Sequence, residues 1–300
     1  MDGTNRILFE QPNLDRLLAD HAVVDLHFHT RHSDGLCSVA ALAERSERLG
    51  IGVAVTDHNT IGGALELDGY RHILSIPGIE VTSREGTHVL VYFYDIDALK
   101  EFYTRSVRPY MGVDVMSSTH LEMEEIVARA RRHDCVIIFP HPFCAAYTGI
   151  CNNYFSPERR RRLFEMADGV EVINSENLNK WNLKCAVLGF NLDKAITGGS
   201  DGHSLSRLGQ VVTYAPCKPR RRAFLDAVKR KHVKVIGTET DILRKVKSNS
   251  IKLRSNLRHY PDLVEKNLLY SYSVLNSKSK QLKDNVKRRI NGSIRNGRKR

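Results

Sequence analysis

No stretch of the 300-residue chain approaches the ~20 consecutive apolar residues that span a membrane. The start, Met1 to Leu18, carries acidic and polar residues throughout, so no secretory leader is expected. Cysteine is scarce and scattered. Its six positions (37, 135, 144, 151, 185 and 217) include no Cys-x-x-Cys pair and no short-spaced framework, which reads as reduced thiols in a cytoplasmic protein. No internal repeat is visible. Disorder is excluded for most of the chain, because 41% of residues are hydrophobic and 20 more are glycine. The length allows one large α/β domain or two smaller ones.

The net charge of +12 is unevenly spread. Residues 241–300 hold 17 Lys and Arg against 4 Asp and Glu, whereas the first 240 residues hold 29 against 30. A near-neutral domain over 1–240 followed by a basic tail over 241–300, partly helical or disordered, is therefore expected. Runs such as Lys287-Arg288-Arg289 and Arg298-Lys299-Arg300 suit phosphate neutralisation on a nucleic acid. An anionic membrane surface or plain solvation would suit them as well.

Short β-branched runs alternate with amphipathic stretches. Strands are expected at 22–26, 52–56, 74–81, 88–94, 136–139, 169–173, 195–198 and 211–214. Helices are expected at 38–49, 121–133, 157–167, 178–188 and 220–231, the first stopping at Gly50. Nearly continuous apolar strands indicate a parallel sheet covered by helices, and about seven such units suit a barrel or a doubly wound sheet.

Almost every one of these strands ends in a potential metal ligand. The first runs into His27 and His29, which alternation places on one face, and Asp34 follows on a Ser-Asp-Gly turn. The second ends in Asp57-His58. The third carries Glu80, and a turn at 84–86 brings His88 back beside it. His141 stands between two prolines after the strand at 136–139, and Asp201 and His203 follow the strand at 195–198. A lone histidine at a strand end is ordinarily structural, and Asp-Gly is ordinarily a turn. Nine such groups at successive C-terminal strand ends, where α/β barrels place their active sites, are not explained that way. Imidazoles mixed with carboxylates suit Mn, Fe or Zn. The other seven histidines (21, 32, 72, 120, 133, 232 and 259) fall outside the pattern.

The segments Asp25-Leu26-His27-Phe28-His29-Thr30, Ser33-Asp34-Gly35, Thr56-Asp57-His58-Asn59-Thr60, Pro77-Gly78-Ile79-Glu80, Thr87-His88-Val89, Pro140-His141-Pro142 and Gly199-Ser200-Asp201-Gly202-His203 resemble the PHP (polymerase and histidinol phosphatase) superfamily of metal-dependent phosphoesterases. The resemblance covers residues 22 to about 215. It implies an α/β fold, a distorted (β/α)7 barrel, to which the basic C-terminal tail is added. It also implies two or three divalent transition-metal ions, manganese ahead of iron or zinc. His27, His29, Glu80 and Asp201 would hold one ion, and Asp34, His58 and His203 a second. Glu80, His88 and His141 would hold a third, with Glu80 bridging. The chain is most similar to the branch containing nucleoside bisphosphate phosphatases and 5′→3′ exoribonucleases. Only 52 residues separate His88 from His141, so the segment that shapes the substrate pocket in that branch is reduced.

The implied reaction is hydrolysis of a phosphate ester by in-line attack of a metal-bridging hydroxide. The ester would belong to a nucleotide, a nucleoside bisphosphate or an oligonucleotide end. Three divalent ions less three carboxylates and a hydroxide leave about +2, suited to such an anion. Asp57 would orient a ligand or cap a helix. Arg31 and Arg207 would fork onto phosphate or pair on the surface. His32 is a candidate proton donor. A histidinol-phosphate or other small phosphomonoester phosphatase, an amidohydrolase acting on C–N bonds, and a nucleic-acid-binding scaffold are the competing readings.

Overall fold

The computed structural model describes residues 6–146, 148–151 and 155–239. The expected tail over 241–300 lies outside them. In chain order the regular elements are β1 (Ile7–Leu8), α1 (Leu14–Leu18), β2 (Ala22–Phe28), α2 (Val39–Leu49), β3 (Gly52–Val55), α3 (Gly62–Asp68), β4 (Ser75–Thr82), β5 (His88–Phe93), α4 (Ile96–Phe102), α5 (Met123–Ala130), β6 (Cys135–Phe139), α6 (Pro157–Met166), β7 (Gly169–Asn174), α7 (Asn179–Asn191), β8 (Ala195–Gly199), β9 (Val211–Ala215), α8 (Arg221–Lys229) and β10 (Lys234–Gly237). All eight expected strands and all five expected helices form. The helix ends follow local chemistry. Ser38 accepts from the Ala41 N–H at the start of α2, and Gly50 closes it with φ of 67°, a left-handed conformation that costs glycine little.

The strands run in the order β1-β10-β9-β2-β3-β4-β5-β6-β7-β8. Strands β2, β3 and β4 are parallel, as are β6, β7 and β8, but β5, β9 and β10 pair antiparallel to neighbours. Strand β4 serves two sheets: Ser75, Ile76 and Pro77 pair with β3, and Gly78–Thr82 pair with β5.

The expected (β/α)7 barrel is corrected in two respects. The link from β4 to β5 is a tight turn through Gly86, with no helix. The ring is also not closed by a ladder. Among the described residues, the chain just past β8 meets β2 through one isolated bridge between Phe28 and Gly202. Thr213 of β9, the antiparallel neighbour of β2, links to β8 by its side chain: the Gly198 N–H donates to its Oγ1 at 2.8 Å, and that hydroxyl donates to the Gly198 carbonyl at 2.9 Å. Gly199 lies so close to β2 that a Cβ there would sit 2.6 Å from the His27 nitrogen.

Both faces of the central strands are covered, as the apolar runs imply. Val24, Leu26 and Ala54 join the larger apolar cluster, while Val23, Val53 and Val55 pack with Leu42 of α2 in a second one. Phe28 shares the cluster of Val23 although strict alternation would separate them. The register shift between Asp25 and Phe28 explains this. That bulge lies on the strand that carries His27.

Candidate metal centre

The nine expected ligands come together. His27 and His29 are fully buried at the end of β2, and His58, Glu80, His141 and His203 are each less than 9% exposed. The His27 Nε2 lies 3.5 Å from Glu80 Oε2 and 3.5 Å from Asp201 Oδ1, and the His29 Nε2 lies 3.4 and 3.0 Å from the same two atoms. Four donors around a tetrahedral ion at about 2.0–2.1 Å would stand about 3.3–3.4 Å apart, so this quartet has the dimensions of a coordination shell.

A second group joins Asp34, His58 and His203, with His203 Nε2 at 3.1 Å from Asp34 Oδ2. The structure adds His29 to it: the His29 ring stacks between those of His58 and His203 at 4.6 and 4.5 Å, and its Nδ1 is 3.8 Å from Asp34. A third surrounds the other side of Glu80. His58 Nδ1 is 3.0 Å from Oε2, while His88 Nδ1 and His141 Nε2 are 2.9 and 3.5 Å from Oε1.

Apart from His203 Nε2 with Asp34 Oδ2, proximity here is mostly not hydrogen bonding. His27 Nε2, both ring nitrogens of His29, His58 Nδ1 and both Glu80 oxygens are buried without a hydrogen bond of proper geometry. Such groups are costly in a folded core, and lone pairs aimed at common points are what a divalent cation satisfies. The donor set therefore fits metal ions. Burial alone would raise the Glu80 carboxyl, but His88, His58 and His27 hold it well below the usual range. Against burial, His27 and His29 do the same for Asp201. Both carboxylates stay ionised, as ligation requires. Burial, aided by His29 and His88, pushes the His58 imidazole well below its usual value.

The supporting side chains include two that the sequence did not single out. Glu171, fully buried in β7, lies 3.1 Å from His27 Nδ1 and accepts from the His141 N–H at 2.9 Å. Asn174 donates to Glu171 at 2.9 Å and to Asp201 at 3.1 Å. A carboxylate inside the apolar run Gly169–Ile173 was the available signal. Asp57 accepts from the Thr30 N–H and hydroxyl, both at 2.7 Å, and from the Ser33 hydroxyl at 2.6 Å, which fixes the loop leading to Asp34. It does not cap α3, whose N-cap position is held by Ile61 with no side-chain cap hydrogen bond. Two non-glycine donors sit in the left-handed region, Asp201 at φ of 50° and His141 at 30°, where strain of ~1–3 kcal/mol each is held by the surroundings.

The other candidates lie elsewhere. Arg31 is exposed, with its Nε donating to the Leu36 carbonyl at 3.0 Å. Arg207 is 4% exposed, and its Nε meets Glu176 at 3.2 Å, an ion pair of the kind left open beside a phosphate fork, though buried and not on the surface. His32 lies outside the cluster, 3.1 Å from Glu66. A separate acidic group, Glu85, Glu122 and Glu124, is bound by Arg159, which supplies its countercharge.

The sequence matches the PHP domain family over residues 25–178. Asp201 and His203 lie beyond the matched span but complete the same cluster. Comparison with curated proteins gives no match. Among solved structures, a two-domain Bacteroides vulgatus protein containing a predicted PHP-like metal-dependent phosphoesterase is similar, with TM-score 0.55 and 16% identity over 82% of this chain and 74% of that one. The lesion-specific endonuclease PfuEndoQ of Pyrococcus furiosus has TM-score 0.58 and 20% identity over 72% of this chain and 57% of that one. An endonuclease Q complex with a 27-mer duplex bearing an abasic lesion at its active site has TM-score 0.56 and 20% identity, covering 73% and 60%. These likenesses are likenesses of fold.

Proposed function

The chain belongs to the PHP domain family, and from that premise we propose that it hydrolyses phosphate esters at the buried cluster centred on Glu80. The observation that carries the reading is the convergence of nine imidazole and carboxylate side chains, several of whose buried polar atoms have no hydrogen bond. His27, His29, Glu80 and Asp201 would hold one divalent ion and Asp34, His58 and His203 a second. Glu80, His88 and His141 would hold a third, with manganese the first candidate, then iron or zinc. Ions bound there supply Lewis-acid activation of water and neutralise charge developing on a phosphoryl group.

The chain's own residues do the rest. Glu171 holds His27 in orientation, Asn174 holds Asp201, and Asp57 holds the loop that presents Asp34. Arg31, exposed beside that loop, is the cation proposed to meet the substrate phosphate; the charge of Arg207 is taken up by Glu176. The substrate class is a nucleotide, a nucleoside bisphosphate or an oligonucleotide end. A nucleic acid suits the fold likeness to endonuclease Q and the surplus of basic residues after 240, a second unit proposed to contact polyphosphate.

Protein stripped with a chelator and reloaded separately with manganese, iron or zinc is assayed against phosphomonoesters, phosphodiesters and short 5′-phosphorylated RNAs. Phosphate release that appears with metal and disappears with chelator is expected. A folded, metal-loaded protein inert on the whole panel would overturn the reading.

A further inference from the structure

Helix α7 carries an apolar face that nothing among the described residues covers. Leu183, Val187 and Phe190 are 50%, 62% and 84% exposed, and their spacing of four and three residues puts them on one side of the helix. They make up half of the large apolar side chains exposed among the described residues, and a contiguous stripe of this kind marks a contact surface.

The chain itself passes this helix as the described residues end. The Glu239 carboxylate accepts from the Asn179 N–H, so the last described residue caps the N-terminus of α7, which has no side-chain cap of its own. The sequence beyond Glu239 is not uniformly basic. Residues 261–275 read Pro-Asp-Leu-Val-Glu-Lys-Asn-Leu-Leu-Tyr-Ser-Tyr-Ser-Val-Leu, with eight apolar residues in fifteen and one Lys. Asp262 and Glu265, two of the four acids after residue 240, lie at its head. Val264, Leu268, Tyr272 and Leu275 recur at helical spacing behind Pro261 and Asp262, residues that open helices.

We propose that residues 261–275 of this same chain dock on the Leu183–Val187–Phe190 face of α7. Reach is ample. The 21 residues between Glu239 and Pro261 extend up to about 70 Å, and α7 is about 20 Å long. Charge agrees, since Lys184 stands exposed beside the stripe and the two acids lead the segment. Apolar side chains at i, i+4, i+8 and i+11 against a helix face are the helix-on-helix form of recognition.

Hydrogen exchange on the full-length protein tests this with two variants, Leu268→Asp/Tyr272→Asp in the segment and Val187→Asp in α7. The segment variant should speed exchange of the amides of residues 183–191 about tenfold or more, and Val187→Asp should do the same for the amides of residues 263–275. Both effects should be independent of protein concentration. Unchanged α7 exchange in the segment variant would overturn the proposal. So would α7 protection that falls on dilution in both proteins alike, because the face would then be covered by a second copy of the chain. Circular dichroism of each variant confirms that the fold persists.

Discussion

The two oxygens of Glu80 lie within 3.5 Å of five imidazoles, those of His27, His29, His58, His88 and His141. Glu80→Gln keeps the shape and removes the charge that holds these rings together, and Asp201→Asn does so for one group. Each should lower phosphoesterase turnover by about 10³-fold or more, while His133→Asn, packed between Phe93 and Phe102, should stay within about twofold. Equal losses in all three would refute the assignment. Glu171→Gln is predicted to weaken metal binding by about 10–100-fold, the usual effect of disturbing a ligand's partner, as measured by competition with a coloured chelator. The nine clustered side chains were legible because each stands in or beside a strand recognisable from its apolar run. Glu171 was not, because β7 has a register shift between Glu171 and Ile173 that simple alternation does not anticipate.

At the scale of elements, the segment between α4 and α5 is tied to β4 by Thr119, which bonds the Thr82 carbonyl through its N–H and its hydroxyl, and to the strand-end loop by Asn59. Asn59, fully buried at φ of 47°, donates to the carbonyls of Val115 and Ser117 at 2.9 Å each and accepts from the Thr82 N–H at 2.9 Å. Asn59→Asp would set a carboxylate against two carbonyls and lose both donations. Unsatisfied buried groups cost about 1–3 kcal/mol each, so a fall in melting temperature of about 5–10 °C is expected. Faster exchange should be confined to the amides of residues 111–121. Global rather than local loosening would show that Asn59 matters to the whole core instead. Strands and helices with strong periodicity were legible. Strands β1 and β10, of two and four residues, were too short to signal, and α3 opens with two glycines that hide its pattern.

For the whole molecule, apolar patterning identified a helix-covered sheet, while the split between a near-neutral body and a basic tail rests on composition alone. Closure was not legible, because it depends on single contacts between β2 and the chain at and after the end of β8, far apart in sequence. The seam between β2 and β8 therefore has a consequence in time. Asp25 and Ser200, which meet across it, are 175 residues apart in the chain, and contacts of such separation form late on the folding path. His27 and His29 stand on one side of that seam and Asp201 and His203 on the other. Ions shared between them would strengthen interactions absent from the folding transition state, which act on the unfolding rate alone. Chelation should quicken unfolding in denaturant about tenfold or more and leave refolding unchanged, as stopped-flow traces with and without chelator would show. Metal supply would then set how long each folded copy lasts, so that a cell short of the ion would clear the idle enzyme faster than the loaded one.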